Sequence, residues 1–191
     1  MKIAELSQIG YVALGSNLKT ATQTSLEVVN EALGLFAGAA LRISKQSRWY
    51  SAPAFPAGQG PDYVNGVVEI ETALPPVAVL AALHHIENAL GRTRPKRWAA
   101  RVIDLDLLAL GGVVVPDLAG FMAWKNLPLS AQMETAPQEL ILPHPRLQDR
   151  AFVLKPLAEI APDWRHPVLG ETATTLLAAL PAATCAEIQP L

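Results

Sequence analysis

The sequence contains only one cysteine, Cys185, among its 191 residues. A disulfide framework within the chain is therefore excluded, and a thiolate zinc site is strongly disfavoured. The N-terminal segment MKIAELSQIG has no apolar core of signal-peptide length, because Glu5 interrupts it. The longest apolar runs, such as residues 32–41, fall far short of the roughly 20 residues that span a bilayer. These absences predict a soluble cytoplasmic protein.

The chain also has little net charge and none of the common nucleotide or zinc motifs. Its formal charge is -2, so its overall field does not favour nucleic acid or an anionic membrane. No Gly-x-x-x-x-Gly-Lys-Ser/Thr loop and no His-x-x-x-His spacing occurs. Half of the residues are apolar, and the length suits one domain. We predict a single domain over residues 1–191, with an insertion at about 112–139.

The pattern of apolar residues predicts alternating strands and helices. Residues 11–14, 41–50, 63–72 and 102–110 are predicted strands, and residues 20–35 and a segment opened by Pro75-Pro76 are predicted helices. Later elements are a short helix around 130–135, a strand or helical turn at 152–160, and a helix at 172–180. This order favours an α+β sandwich with helices on one face of a mainly antiparallel sheet.

Two aspartates interrupt the last predicted strand, in the stretch Asp104-Leu105-Asp106. Positions i and i+2 of a strand share a face, so both carboxylates project together. Two like charges this close are costly unless a cation lies between them. Magnesium meets this need, because it takes carboxylate oxygens and keeps positions open for phosphate. The alternative is a pair of solvated aspartates on an exposed face.

A cationic segment immediately precedes the aspartate pair. Five of the 15 Lys and Arg residues fall within residues 92–101, with no acidic residue among them. Arginines there could hold phosphate oxygens in bidentate fashion, although a solvated basic loop is the alternative. Cations beside a metal-type carboxylate pair are what polyphosphate transfer requires. We therefore expect the segment and the strand to bind the same nucleotide.

Other polar and aromatic residues are candidates for substrate contacts. Tyr63 and Asn65 share a strand face, and a ring beside an amide could hold a flat heteroaromatic group, with Phe152 on its other side. His144 lies between two prolines, which suits a presented ligand contact. Glu87 lies at the edge of the apolar stripe of the second helix and could pair with Arg92 or Arg101. The alternatives are a packing role for the rings, a structural hydrogen bond for the histidine, and an ordinary surface glutamate.

Several segments, in chain order, resemble the 6-hydroxymethyl-7,8-dihydropterin pyrophosphokinase family of folate biosynthesis. They are YVALGSNL, RWYSAPAF, PDYVN, IENALGR, RWAARVIDLDLL and LPHPRLQDRAFVLKPLAEIAP. The resemblance implies a ferredoxin-like α+β core. It also implies transfer of the β,γ-diphosphate of ATP, as co-substrate, to the hydroxymethyl group of the dihydropterin, with release of AMP.

The resemblance also implies roles for individual residues. Asp104 and Asp106 would hold two magnesium ions, and whether either carboxylate takes the hydroxyl proton stays open. The remaining assignments are catalytic for Arg92, Arg97 and Arg101, nucleotide binding for Arg94, His144 and Arg150, and substrate binding for Tyr63, Asn65, Phe152, Trp98 and Glu87.

Two other classes of function fit parts of the sequence. A ferredoxin-like module could sense a nucleotide without turnover, although such a module needs no carboxylate pair on a strand. An RNA-binding α+β domain would need several aromatic residues on its sheet face and a basic face overall. Net charge -2 and a single basic segment count against it. ATP and the dihydropterin are the expected ligands, with no nucleic acid or membrane partner.

Overall fold

The computed structural model describes residues 7–18, 22–54, 60–91 and 102–191. The strands are β1 (Gln8–Ser16), β2 (Arg42–Gln46), β3 (Tyr50–Ala52), β4 (Tyr63–Thr72), β5 (Asp104–Leu110) and β6 (Gln189–Pro190). The α-helices are α1 (Ser25–Phe36), α2 (Pro76–Ala89), α3 (Leu118–Lys125), α4 (Leu129–Glu134), α5 (Ala151–Ile160), α6 (Ala173–Ala178) and α7 (Ala182–Ala186). Short 3-10 helices cover Ala37–Ala39 and Leu147–Asp149. None of the helices in these ranges is long and apolar enough to cross a bilayer.

The strands form one antiparallel sheet in the order β5-β1-β4-β3-β6, and β2 also pairs with β4. This confirms the predicted α+β class with a mainly antiparallel sheet. The predicted strand 41–50 is divided into β2 and β3 at Ser47. There, the Ser47 hydroxyl accepts the Val67 N–H at 3.0 Å while the Ser47 N–H donates to the Val67 carbonyl at 3.0 Å. This two-point contact takes the place of regular strand pairing.

Helices cover both faces of the sheet, whereas the sequence pattern predicted helices on one face. The first layer, α1 and α2, packs on one face, and the second layer, α5 and α6, packs on the other. The buried sheet residues beneath the first layer are Val12, Leu14, Val68, Ile70, Leu105 and Leu107, and those beneath the second are Tyr11, Val67, Leu108 and Ala109. Burial on both faces explains the nearly continuous apolar runs in β1, β4 and β5.

The first helix begins later than predicted, at Ser25 rather than near residue 20. Thr24 is its N-cap and forms a capping box with Glu27. The Glu27 carboxylate accepts the Thr24 N–H at 2.7 Å, and the Thr24 hydroxyl accepts the Glu27 N–H at 3.3 Å. The second helix begins at Pro76, because proline is well tolerated in a first turn that needs no N–H partner.

A bulge in β5 connects the sheet to the segment that carries His144. The β1–β5 register changes after Tyr11, which pairs with Ala109, whereas Val12 pairs with Leu107. Leu108 is therefore the extra residue, and its carbonyl accepts the His144 N–H at 2.8 Å. This hydrogen bond fixes the backbone of His144 beside β5.

The predicted insertion, residues 112–139, contains two helices rather than one. α4 agrees with the helix expected around residues 130–135, whereas α3 was not predicted. The Asp117 carboxylate caps α3 by accepting the Gly120 N–H at 2.7 Å. Phe121 of α3 is fully buried against the His166 ring, with 5.6 Å between the ring centroids. This contact attaches α3 to the segment that precedes α6.

Candidate functional site

The two aspartates and Asn65 lie on the same face at one end of the sheet. Gly15 of β1 pairs with Asn65 on one side and with Asp104 on the other, and Asp106 pairs with Ala13, two residues before Gly15. Residues directly opposite in antiparallel strands project to the same face. Tyr63 joins this face because it lies two residues before Asn65. This face is the one covered by the second layer, because Ala13 also pairs with Val67, which is buried beneath α5 and α6.

Gly15 has no side chain, so it leaves space between Asn65 and Asp104 on this face. A Cβ atom at Gly15 would lie 3.2 Å from Asn65 Oδ1 and 3.9 Å from Tyr63 Cδ1. The Asn65 side chain is buried, and its Nδ2 has no acceptor among the residues that the structure describes. Buried amide donors in folded proteins are normally satisfied. The Asn65 amide is therefore suited to donate to a ligand acceptor.

The N-terminus of α5 brings a cation and an aromatic ring to the aspartates. Arg150 is the N-cap residue of α5, and its Nη1 lies 3.5 Å from Asp106 Oδ2. Its guanidinium carbon lies 5.7 Å from the centroid of the Phe152 ring, which is itself exposed. The structure thus places Asp106, Arg150 and Phe152 in one continuous group.

His144 is held as a neutral hydrogen-bond donor. Its Nδ1 accepts the backbone N–H of Arg146 at 3.1 Å, so the remaining proton lies on Nε2. Burial first, and then the positive charge of Arg150, lower the pKa of His144 to about 3, although the negative charge of Asp104 opposes this shift. The imidazole is therefore uncharged at neutral pH and offers its Nε2–H to an anionic ligand.

Glu87 anchors the strand that carries the aspartates. It is 1% exposed on α2, and its Oε1 accepts the Leu105 backbone N–H at 2.7 Å. Leu105 is the residue between Asp104 and Asp106. Glu87 therefore fixes β5 at the point that sets the positions of both carboxylates.

The cationic segment falls outside the described residues, and so do the predicted sites Arg92, Arg94, Arg97, Trp98 and Arg101. Within the described ranges, no three His, Cys, Asp or Glu side chains gather closely enough to hold a metal ion by themselves. Among the described residues, the candidate metal ligands at this end of the sheet are therefore the two carboxylates of Asp104 and Asp106.

Two features of the site were not predicted from the sequence. One is Gly15, for which a glycine at the end of an apolar strand was the available signal. The other is the Arg146 backbone N–H, which fixes the tautomer of His144. A signal for it was present, because His-Pro occurs twice: in both His144-Pro145 and His166-Pro167 the histidine Nδ1 accepts the N–H two residues later.

Comparison with known proteins points to one family. Residues 11–162 match the model described as 7,8-dihydro-6-hydroxymethylpterin-pyrophosphokinase (HPPK). Two relatives carry the name 2-amino-4-hydroxy-6-hydroxymethyldihydropteridine pyrophosphokinase. The protein from Pseudomonas aeruginosa is 40% identical over 90% of this chain and 91% of its own. The protein from Synechocystis is 37% identical over 87% of this chain and 73% of its own.

Solved structures support the fold. The HPPK-DHPS protein of Plasmodium falciparum, wild type with pteroate, superimposes with a TM-score of 0.64 at 15% identity and covers 91% of this chain. This chain spans 44% of that longer one. At such low identity the match shows the fold alone, and it confirms the expected ferredoxin-like architecture.

Proposed function

Because the chain belongs to the 7,8-dihydro-6-hydroxymethylpterin-pyrophosphokinase family, we propose that its described residues perform the family reaction at the end of the sheet defined by Gly15. In this reaction the hydroxymethyl oxygen of the dihydropterin bonds to the β-phosphorus of ATP. The bond from that phosphorus to the α,β-bridging oxygen breaks, AMP leaves, and the hydroxyl proton passes to solvent. The observation that carries the proposal is the aspartate pair, with Arg150 at Asp106 and with an Asn65 Nδ2 on the same face that has no acceptor among the described residues.

Asp104 and Asp106 would hold magnesium, and we propose two ions. The donor set fits, because both carboxylates project from one strand face and both are partly exposed. Magnesium prefers one or two carboxylates, with phosphate oxygens and water completing its coordination. When bound, magnesium would neutralise the negative charge of the triphosphate.

Arg150 and His144 would bind the phosphates. The guanidinium of Arg150 can bind two phosphate oxygens at once, and the neutral His144 donates one hydrogen bond through Nε2. Arg92, Arg97 and Arg101 would add catalytic cations, and Arg94 a nucleotide contact. Because the neutral histidine adds a donor without adding charge, the positive charge around the triphosphate would come from the arginines and the bound magnesium.

The dihydropterin would bind between the Tyr63–Asn65 face and Phe152. Its ring system carries acceptors that the buried Asn65 Nδ2 can satisfy, and the Phe152 ring can stack on its plane. Trp98 would cover the bound substrate. Glu87 acts by holding Leu105, and hence the neighbouring carboxylates, in place. We place the reaction in the cytoplasm, where ATP is abundant.

AMP formation from ATP and magnesium, with and without the dihydropterin, tests the proposal. The wild-type protein should form AMP only when the pterin is present, and Asp104→Asn should abolish this activity. Asp149→Asn is the matched control, because Asp149 is an exposed carboxylate nearby that pairs with Arg146 at 3.2 Å. Formation of ADP, pterin-independent AMP, or equal loss in both variants would contradict the proposal.

A further inference from the structure

Arg150 combines a fixed backbone with a side chain that contacts one carboxylate of the aspartate pair. Its N–H donates to the Leu147 carbonyl at 3.3 Å, and its carbonyl accepts the N–H groups of Val153 and Leu154 at 3.1 and 2.9 Å. Its guanidinium lies 3.5 Å from Asp106. Any movement of this charge therefore occurs in the side chain alone.

The contact between Arg150 and Asp106 is loose for an ion pair. Charge-assisted N–H···O bonds have lengths of about 2.7–2.9 Å, whereas this pair is at 3.5 Å. Both side chains are also partly exposed, at 29% for Arg150 and 36% for Asp106. A partly exposed pair of this length is weak, so a stronger cation can replace it.

The aspartates nevertheless need a positive neighbour. Asp104 and Asp106 project from the same strand face, so their charges repel each other. In the ligand-free protein Arg150 supplies a positive charge to this pair. A divalent ion at Asp106 would supply twice the charge, and the guanidinium would then lose its carboxylate partner.

We propose that Arg150 takes the place of the metal ion in the ligand-free protein, where its positive charge neutralises Asp106. When the metal ion binds to Asp106, it displaces the guanidinium, which is then free to bind the triphosphate. The exchange rests on the metal site of the proposed function. It makes Arg150 a positioning residue for metal loading before it becomes a phosphate ligand. The Phe152 ring, 5.7 Å from the guanidinium carbon, provides a second contact that keeps the released side chain near the site.

The first test measures metal binding by the ligand-free full chain, with Mn²⁺ as the probe and its paramagnetic resonance signal as the readout. Arg150→Gln should bind Mn²⁺ about threefold more tightly than wild type, because no guanidinium competes for Asp106. Arg150→Lys keeps a competing charge and should lie between the two. Arg146→Gln is the matched control: it removes a charge that also acts on His144, but Arg146 pairs with Asp149 instead. Its Mn²⁺ affinity should stay close to that of wild type.

The second test uses the Mn²⁺-saturated protein and α,β-methylene-ATP. In this analogue a methylene group replaces the α,β-bridging oxygen, so the bond to the β-phosphorus cannot be cleaved. Arg150→Gln should bind this analogue at least about fivefold more weakly, because a phosphate ligand has been lost. Tighter binding of Mn²⁺ together with weaker binding of the ATP analogue in Arg150→Gln is the result expected from the exchange. A purely structural loss would weaken both.

Three outcomes separate this proposal from the proposed function. Unchanged Mn²⁺ affinity in Arg150→Gln, or equal tightening in Arg146→Gln, overturns the exchange. Absence of Mn²⁺ binding in every variant, with folding verified by circular dichroism, overturns both the exchange and the metal site. The predicted order of affinities without pterin-dependent AMP formation supports the exchange and contradicts the proposed reaction.

Discussion

A methyl group added at Gly15 should weaken pterin binding while leaving the fold intact. In Gly15→Ala the new Cβ would lie 3.2 Å from Asn65 Oδ1. This distance is shorter than ordinary van der Waals contact, so the amide must shift by a few tenths of an ångström. The fold itself should tolerate the change, because alanine costs less backbone entropy than glycine within a strand.

The size of the effect follows from one hydrogen bond. Asn65 is only 5% exposed, so its side chain has little room to shift and keep its alignment with a ligand acceptor. A hydrogen bond contributes about 0.5–1.5 kcal/mol net, and 1.4 kcal/mol corresponds to a factor of ten in affinity. The dissociation constant for 6-hydroxymethyl-7,8-dihydropterin should therefore rise about twofold to tenfold in Gly15→Ala, as measured by titration of pterin fluorescence.

Gly10→Ala is the matched control on the same strand. Its Cβ would lie 2.9 Å from Leu110 Cδ1 and 3.1 Å from the Ala109 carbonyl oxygen, far along β1 from Asn65. This variant should lose about 1–3 kcal/mol of unfolding free energy to overpacking but bind the pterin like wild type. Wild-type pterin affinity in Gly15→Ala, or equal weakening in Gly10→Ala, would refute the position that we assign to the substrate.

Three further predictions concern side chains around the sheet. Burial lowers the pKa of His166 from 6.5 to about 4, so its neutral form stabilises the fold fully above pH 6.5, and this contribution falls as the pH drops toward 4. Between pH 7.5 and 5, urea unfolding of His166→Asn should lose about 2 kcal/mol less stability than the wild type, in which the neutral His144 adds a loss of its own. An equally steep slope in the two proteins would contradict this cause. Glu87→Leu should cost about 1–3 kcal/mol of unfolding free energy because it removes the acceptor of the Leu105 N–H. Glu87→Gln keeps an acceptor and should cost less. Equal unfolding midpoints in the two variants would contradict the role of this hydrogen bond. Phe152→Leu should weaken pterin binding about fivefold with little change in unfolding temperature, and unchanged pterin affinity would exclude stacking on this ring.

The parts of the site within one strand could be predicted from the sequence. A strand places residues i and i+2 on one face whatever its partners are, so the shared faces of Asp104 with Asp106, and of Tyr63 with Asn65, followed from spacing. The bounds predicted for β4, residues 63–72, agree with those in the structure. Its alternation was distinct, and its neighbours are rich in turn-forming residues.

The parts that depend on contacts between distant segments could not be predicted. The pairing of Gly15 with both Asn65 and Asp104 is a property of strand order, which no local pattern encodes. The Leu105 N–H at Glu87 Oε1 joins a helix to a strand 18 residues away. Residues 152–160 were ambiguous between strand and helix because a short apolar run fits either. In the structure this segment packs on β4 as the helix α5.

The site depends on both helical layers. α2, in the first layer, holds β5 through Glu87 and so fixes where the carboxylates lie. The N-terminus of α5, in the second layer, supplies Arg150 and Phe152 from the opposite face. With the first layer alone, the face that carries Asp104 and Asp106 would have neither this cation nor this ring. A substitution that loosens either layer therefore moves one half of the site relative to the other, even when it lies far from any substrate.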